Sequence, residues 1–177
     1  MTSEEMIQLA KECGFDAMGI TEAENLKFMP EVRDMCAAGK CGAYNKSWSC
    51  PPAIGTIEDS YKKIKGYQYC LVLQCIAQME DDFDVEAMQD AGERIRIALE
   101  KIVAELKPKM EILPMGCGGC RLCSKCTYPD APCRFPEKVF PSMEAYGLMV
   151  SNVCKKANVP YYHGKNTLAY TCCVLYK

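Results

Sequence analysis

Four cysteines recur at every third position, Cys117, Cys120, Cys123 and Cys126, and a fifth follows at Cys133, in the stretch CGGCRLCSKCTYPDAPC. Neither a helix nor a strand buries such a pattern, because their apolar positions repeat every 3.6 or every 2 residues. The spacing instead folds a short loop in which several thiolates converge on one point. The rest of the chain is expected to hold that loop in place.

A second group stands upstream. In MCAAGKCGAYNKSWSCPP, Cys36, Cys41 and Cys50 are separated by glycines, an asparagine and other small residues. This is loop chemistry, in which backbone approaches a bound group closely. Cys50 precedes Pro51 and Pro52, and a Cys-Pro step also ends the bacterial ferredoxin run. Trp48, the single tryptophan, is expected to cover something apolar, as a core lid or as a wall between a cluster and water.

The remaining cysteines read as core. Cys13 shares an apolar helical stripe with Met6, Leu9 and Ala10, and Cys154 falls in a short helix. Cys70 and Cys75 are five apart in a strand, and Cys172 and Cys173 are adjacent in another. Both pairs point to opposite faces of a sheet and make poor chelates.

Fourteen cysteines without an export signal argue for metal ligation over a disulfide framework. One histidine, His163, argues against a His-rich zinc or non-haem iron site. The N-terminus MTSEEMIQLAKECGF has no apolar core of a signal peptide, and no apolar run reaches the roughly 18–20 residues a bilayer requires. The expectation is a soluble, cytoplasmic protein that does not enter membranes. A net charge of −2 gives nucleic acid no reason to bind.

Eight cysteines are thus left in loops, the number that two four-cysteine clusters require. Zinc competes, since tetrahedral thiolate sites also use C-x2-C pairs. Three overlapping C-x2-C steps are nearer to the ferredoxin run, although the last step has two intervening residues rather than three, and Cys133 is followed by Arg134 before Pro136. The balance favours two [4Fe–4S] clusters over zinc. How eight thiolates divide stays open. One cluster takes most of Cys117, Cys120, Cys123 and Cys126. The other takes Cys36, Cys41 and Cys50, with Cys133 or Cys126 crossing over. With only three thiolates it keeps an iron open to a substrate; with four it suits electron transfer. Lys40, Lys46, Arg121, Lys125 and Arg134 flank the thiolates and could raise a cluster's potential or dock an acidic partner.

The frame reads as a single α/β domain over residues 1–177, with a central sheet of about four strands, packed helices and the cysteine loops, 36–52 and 116–136, at one end. Helices are expected at 2–13, where Thr2 and Glu5 form a capping box, near 31–36, at 57–65, at 84–107 before Pro108, from 141 to about 145, and at 151–158. Strands are expected at 15–20, 67–76, 110–114 and 166–176. The run YQYCLVLQCI is nearly continuous in apolar residues and therefore central. The acids near 80–84 read as a solvated helix start.

CGAYNKSWSCPP, the PCRFPEK-x3-PSMEA-x-G segment and VPYYHGKNTLAYTCCVLY together resemble a family of predicted metal-binding proteins, a domain of unknown function found largely in anaerobic bacteria and archaea. The likeness runs from about Cys36 to the C-terminus and departs at Asn45, where members often carry glycine. It implies a cysteine-ligated metal centre and supplies no reaction. The N-terminal AKECGFDAMGI is also similar to the start of corrinoid-dependent iron–sulfur reductases. The expected function is an iron–sulfur electron carrier serving a redox partner in an anaerobe. The alternatives are a small-molecule reductase or sulfur-transfer enzyme with an open iron, and a zinc-stabilised binding module.

Overall fold

The continuous apolar run around residue 70 lies in the middle of a sheet, as its composition requires. A computed structural model describes all of residues 1–177. In chain order the elements are α1 (Ser3–Cys13), β1 (Ala17–Glu22), α2 (Pro30–Ala37), α3 (Ile57–Ile64), β2 (Tyr69–Gln78), α4 (Val85–Leu106), β3 (Ile112–Met115), α5 (Val150–Lys156) and β4 (Thr167–Tyr176). The four strands form one sheet in the order β1-β2-β4-β3. Every pairing is antiparallel, and β2 and β4 match over their full length, from Tyr69 opposite Tyr176 to Gln78 opposite Thr167. The sheet is therefore α/β in content but not parallel, so the strands need no right-handed crossover helices.

Strand alternation sorts the core into two faces. Leu71, Leu73 and Cys75 of β2 and Cys172 and Val174 of β4 pack against Met6 and Ala10 of α1 and against Ile95, Leu99, Ile102 and Leu106 of α4. Cys70, Val72 and Cys173 point the other way, onto Met143, Tyr146, Leu148, Val153 and Val159. The two cysteine pairs of the strands thus do part between faces. Cys70, Cys75, Cys154, Cys172 and Cys173 are all fully buried, and Cys13 is buried on the α1 stripe. No helix is long and apolar enough to cross a membrane.

The capping chemistry is local. Thr2 and Glu5 close a box at the start of α1, Gly14 ends it in the left-handed region, and Thr56 and Asp59 form a second box on α3. Asp84 caps α4 by accepting from Ala87, and it also accepts from the amide of Glu80. The acids before α4 are a solvated helix start. Between β1 and α5 the backbones come so close that a Cβ on Gly19 would overlap the Ala157 carbonyl and Val159.

One expected element is absent. Residues 141–145 make a turn rather than a helix. The Ser142 hydroxyl accepts from the Ala145 amide, and Gly147 takes a left-handed φ of 84° with its amide on the Glu144 carbonyl. A serine that satisfies the backbone locally, followed closely by a left-handed glycine, leaves too little chain to nucleate a helix. This turn lies over the sheet and presents Glu144 toward the upstream cysteines.

Candidate metal centre

The two cysteine segments are built into one unit. Strand β3 hands the chain to Gly116, whose amide donates to the Pro141 carbonyl at 3.0 Å. A Cβ there would stand 2.6 Å from the Phe140 carbonyl oxygen, so glycine is what lets the loop leave the sheet edge. The loop then folds on itself. The Ala131 amide donates to Thr127, the Thr127 hydroxyl donates to Pro132 at 2.9 Å, and Arg134 reaches back to the Lys125 carbonyl at 3.0 Å.

The upstream segment clamps it at several points. Trp48 Nε1 donates to the Ala131 carbonyl at 3.1 Å, Tyr128 donates to Asn45 Oδ1 at 2.9 Å, and the Cys120 amide donates to Ser49 Oγ at 3.2 Å. The Trp48 and Tyr128 rings meet edge to face, with centroids 4.9 Å apart. Ser47 and Ser49 are buried and share a hydrogen bond of 3.0 Å. Buried hydroxyls need partners, and here those partners tie the two cysteine loops together.

Inside this clamp, Cys120, Cys123, Cys126 and Cys133 line one small chamber with Ser47, Trp48, Ser49, Leu122, Phe135 and Val139. No carboxylate or imidazole lines it. No three metal-ligating side chains stand together as a single-ion site. Burial and the neighbouring Cys133, Cys123 and Cys126 push the Cys120 thiol up, against a pull from the Leu122 amide. Cys126 goes the other way. Burial disfavours its thiolate, but the amides of Tyr128, Trp48 and Thr127 and the Ser47 hydroxyl face its sulfur and together hold its pKa below the ordinary thiol value. Such neighbours favour the thiolate form of Cys126.

The upstream cysteines form a second group. Burial raises the Cys36 thiol, and Glu144, Cys41 and Cys50 add to the rise. Its Sγ lies 3.9 Å from the Glu144 carbonyl. Cys50 is raised by burial, and Cys41 and Cys126 act on it as further negative neighbours. The two groups are therefore adjacent through Cys50 and Cys126. Arg33 holds the frame around them, donating to the carbonyls of Ala145 at 2.9 Å and Gly55 at 2.7 Å.

Cys117 does not line that chamber. It lines a crevice beside α4 with Tyr170 and Cys172, which Cys120 also borders. Solvent reaches it along that crevice, yet protein surrounds its thiol and pushes it up to about 11, against the Thr171 amide that donates to it; Glu144 adds to the rise. Of the basic residues near the thiols, Arg121 acts on Cys117, and Arg134 is spent on the loop's own backbone. Ser47, Ser49 and the Tyr128–Asn45 pair escaped the reading of the sequence. Serines flanking Trp48 carry no signal until the partner loop is in place.

A family model described as predicted metal-binding protein, DUF2284, matches residues 19–176. No curated protein matches the chain. Among solved structures, a selenomethionine-labelled epoxyqueuosine reductase matches at 12% identity and a TM-score of 0.44, over 98% of this chain and 44% of that one. The chain thus spans less than half the length of that enzyme.

Proposed function

This chain belongs to the DUF2284 family of predicted metal-binding proteins, and we propose that it holds two [4Fe–4S] clusters and carries electrons to a redox partner. The observation behind this reading is the chamber lined by Cys120, Cys123, Cys126 and Cys133. Thiolates alone suit iron–sulfur clusters or zinc. A tetrahedral zinc ion with bonds of about 2.3 Å draws its sulfurs to within about 3.8 Å of one another, whereas a cluster needs thiolates spread around a space. The C-x2-C-x2-C run with a distant fourth cysteine is also the ferredoxin way of holding one cluster.

The second cluster falls to Cys36, Cys41, Cys50 and Cys117. Cys117 is the thiol that the chamber leaves over, and it shares Glu144 as a neighbour with Cys36. This assigns every loop cysteine and leaves no iron open, which suits electron transfer rather than substrate binding. A bound cluster supplies a one-electron store. The chain's own residues do the rest. Trp48, Leu122, Phe135 and Val139 keep water from the chamber. The Tyr128, Trp48 and Thr127 amides stabilise negative charge on Cys126, which raises the potential of whatever that sulfur ligates. The neighbouring Cys50 and Cys126 provide a short path between the centres.

A reductive titration of anaerobically purified protein tests the carrier role. The expected result is reversible uptake of about two electrons per chain, one for each cluster. A colourless protein that contains zinc and takes up no electrons overturns it.

A further inference from the structure

A large cavity lies on the far side of the chamber wall. A cleft of about 1020 Å³ opens between the edge strand β3, the end of α3 and residues 129–141. That is the upper size of a small-molecule site, roughly 300–1,000 Å³. Ile54, Ile112, Leu113 and Phe140 give it apolar walls. Trp48, Cys133 and Val139 line both the cleft and the thiol chamber, so one layer of side chains separates the two.

The polar groups of the cleft are unevenly satisfied. Lys63 Nζ lies 3.5 Å from the Tyr146 hydroxyl oxygen and 5.7 Å from the ring centre. An ammonium only donates, so the phenol oxygen is the acceptor. The phenol's own hydrogen has no acceptor in the protein, although Tyr146 is only 2% exposed. Burial pushes the Tyr146 pKa up to about 12, so that hydrogen stays in place. Neither Lys63 nor Lys107, which also lines the cleft, is in an ion pair, whereas Glu111 is neutralised by Lys177 at 2.7 Å. Asp130 and Glu137, the unneutralised acids of the cleft, belong to the opposite, cysteine-loop wall.

A free ammonium beside a buried hydroxyl with an unspent donor is half of an oxyanion site. We propose that this cleft binds a small organic acid, its carboxylate or other oxyanion held by Lys63 and Tyr146 and its apolar body against Ile54 and Leu113, one side-chain layer from the thiols. The site is complete without a metal, so its test does not depend on the cluster assignment.

Calorimetric titration with anilinonaphthalene sulfonate, and with phenylnaphthylamine as the same ring system without the charge, tests this on the anaerobically purified protein. The sulfonate is expected to bind at one site per chain and more tightly than the neutral compound. Lys63→Met is expected to weaken the sulfonate by about tenfold, the value of a charge-assisted hydrogen bond, and to leave the neutral compound unchanged. Tyr146→Phe is expected to weaken it by about threefold, and Lys27→Met, on a surface outside the cleft, by nothing. Equal binding of the two compounds, or a Lys63→Met protein that binds the sulfonate as the parent does, overturns the proposal. So does the absence of a saturable site.

Discussion

Replacing Tyr146 by phenylalanine is expected to make the protein more resistant to alkali. Burial moves the phenol from its ordinary 10 to about 12 in the folded chain. Below pH 10 both folded and unfolded chains carry the proton, and the group adds no pH dependence. Above pH 10 the unfolded chain releases it and the folded chain does not, so stability falls as pH rises and levels off only past 12. At about 1.36 kcal/mol per decade, the full loss is on the order of 3 kcal/mol, of which about half has accrued at pH 11. Phenylalanine cannot ionise. Urea unfolding of parent and variant, matched in metal content, measures the difference. Between pH 8 and pH 11 the gap in unfolding free energy is expected to move by on the order of 1 kcal/mol in favour of Tyr146→Phe. Comparing the two proteins cancels the buried thiols that also titrate there, such as Cys75, pushed to about 11. If the two stabilities fall in parallel over that range, the phenol is not buried as described, and its role as a donor in the cleft fails with it.

Other outcomes follow from the same packing. Gly19→Ala sets a methyl group against the Ala157 carbonyl and Val159 and is expected to cost at least about 1–3 kcal/mol, read from the urea midpoint. Cys133→Ser is expected to remove about half of the bound iron, as is Cys117→Ser, whereas Cys70→Ser, in the core, is expected to keep it all. Iron lost from the Cys70 variant and retained in the other two would reverse the sorting of thiols.

Much of the frame was legible because its signals are local. The capping box of α1 lies within four residues, and the apolar run of β2 names itself as a central strand. The parting of Cys70 from Cys75 and of Cys172 from Cys173 follows from strand alternation alone. The strand β1 runs Ala17–Glu22 rather than 15–20. Its start is set by Asp16, whose carboxylate accepts from the Ile76 amide and from Arg94, each at 2.7 Å, and those partners are far away in sequence. The same holds for Gln74, fully buried inside the apolar run. Its amide is satisfied by Pro160, Thr171 and His163, none of which the run itself announces.

The site divides in the same way. Spacing says that the thiols of 117–133 converge; it does not say which of five leaves. The proposed division rests on Ser47, Trp48 and Ser49, which arrive from the other loop and line one chamber with Cys120, Cys123, Cys126 and Cys133, and on the register of β3 on β4, which sets Cys117 against Thr171 and Cys172. The expected helix at 141–145 failed for a local reason, a serine turn and a left-handed glycine, that apolar periodicity does not reveal.

The central claim is that eight loop thiolates hold two four-iron clusters. Iron and acid-labile sulfide, counted per chain on protein purified without oxygen, test it most directly. The account predicts about eight of each. Zinc in place of iron, or iron without sulfide, would contradict it.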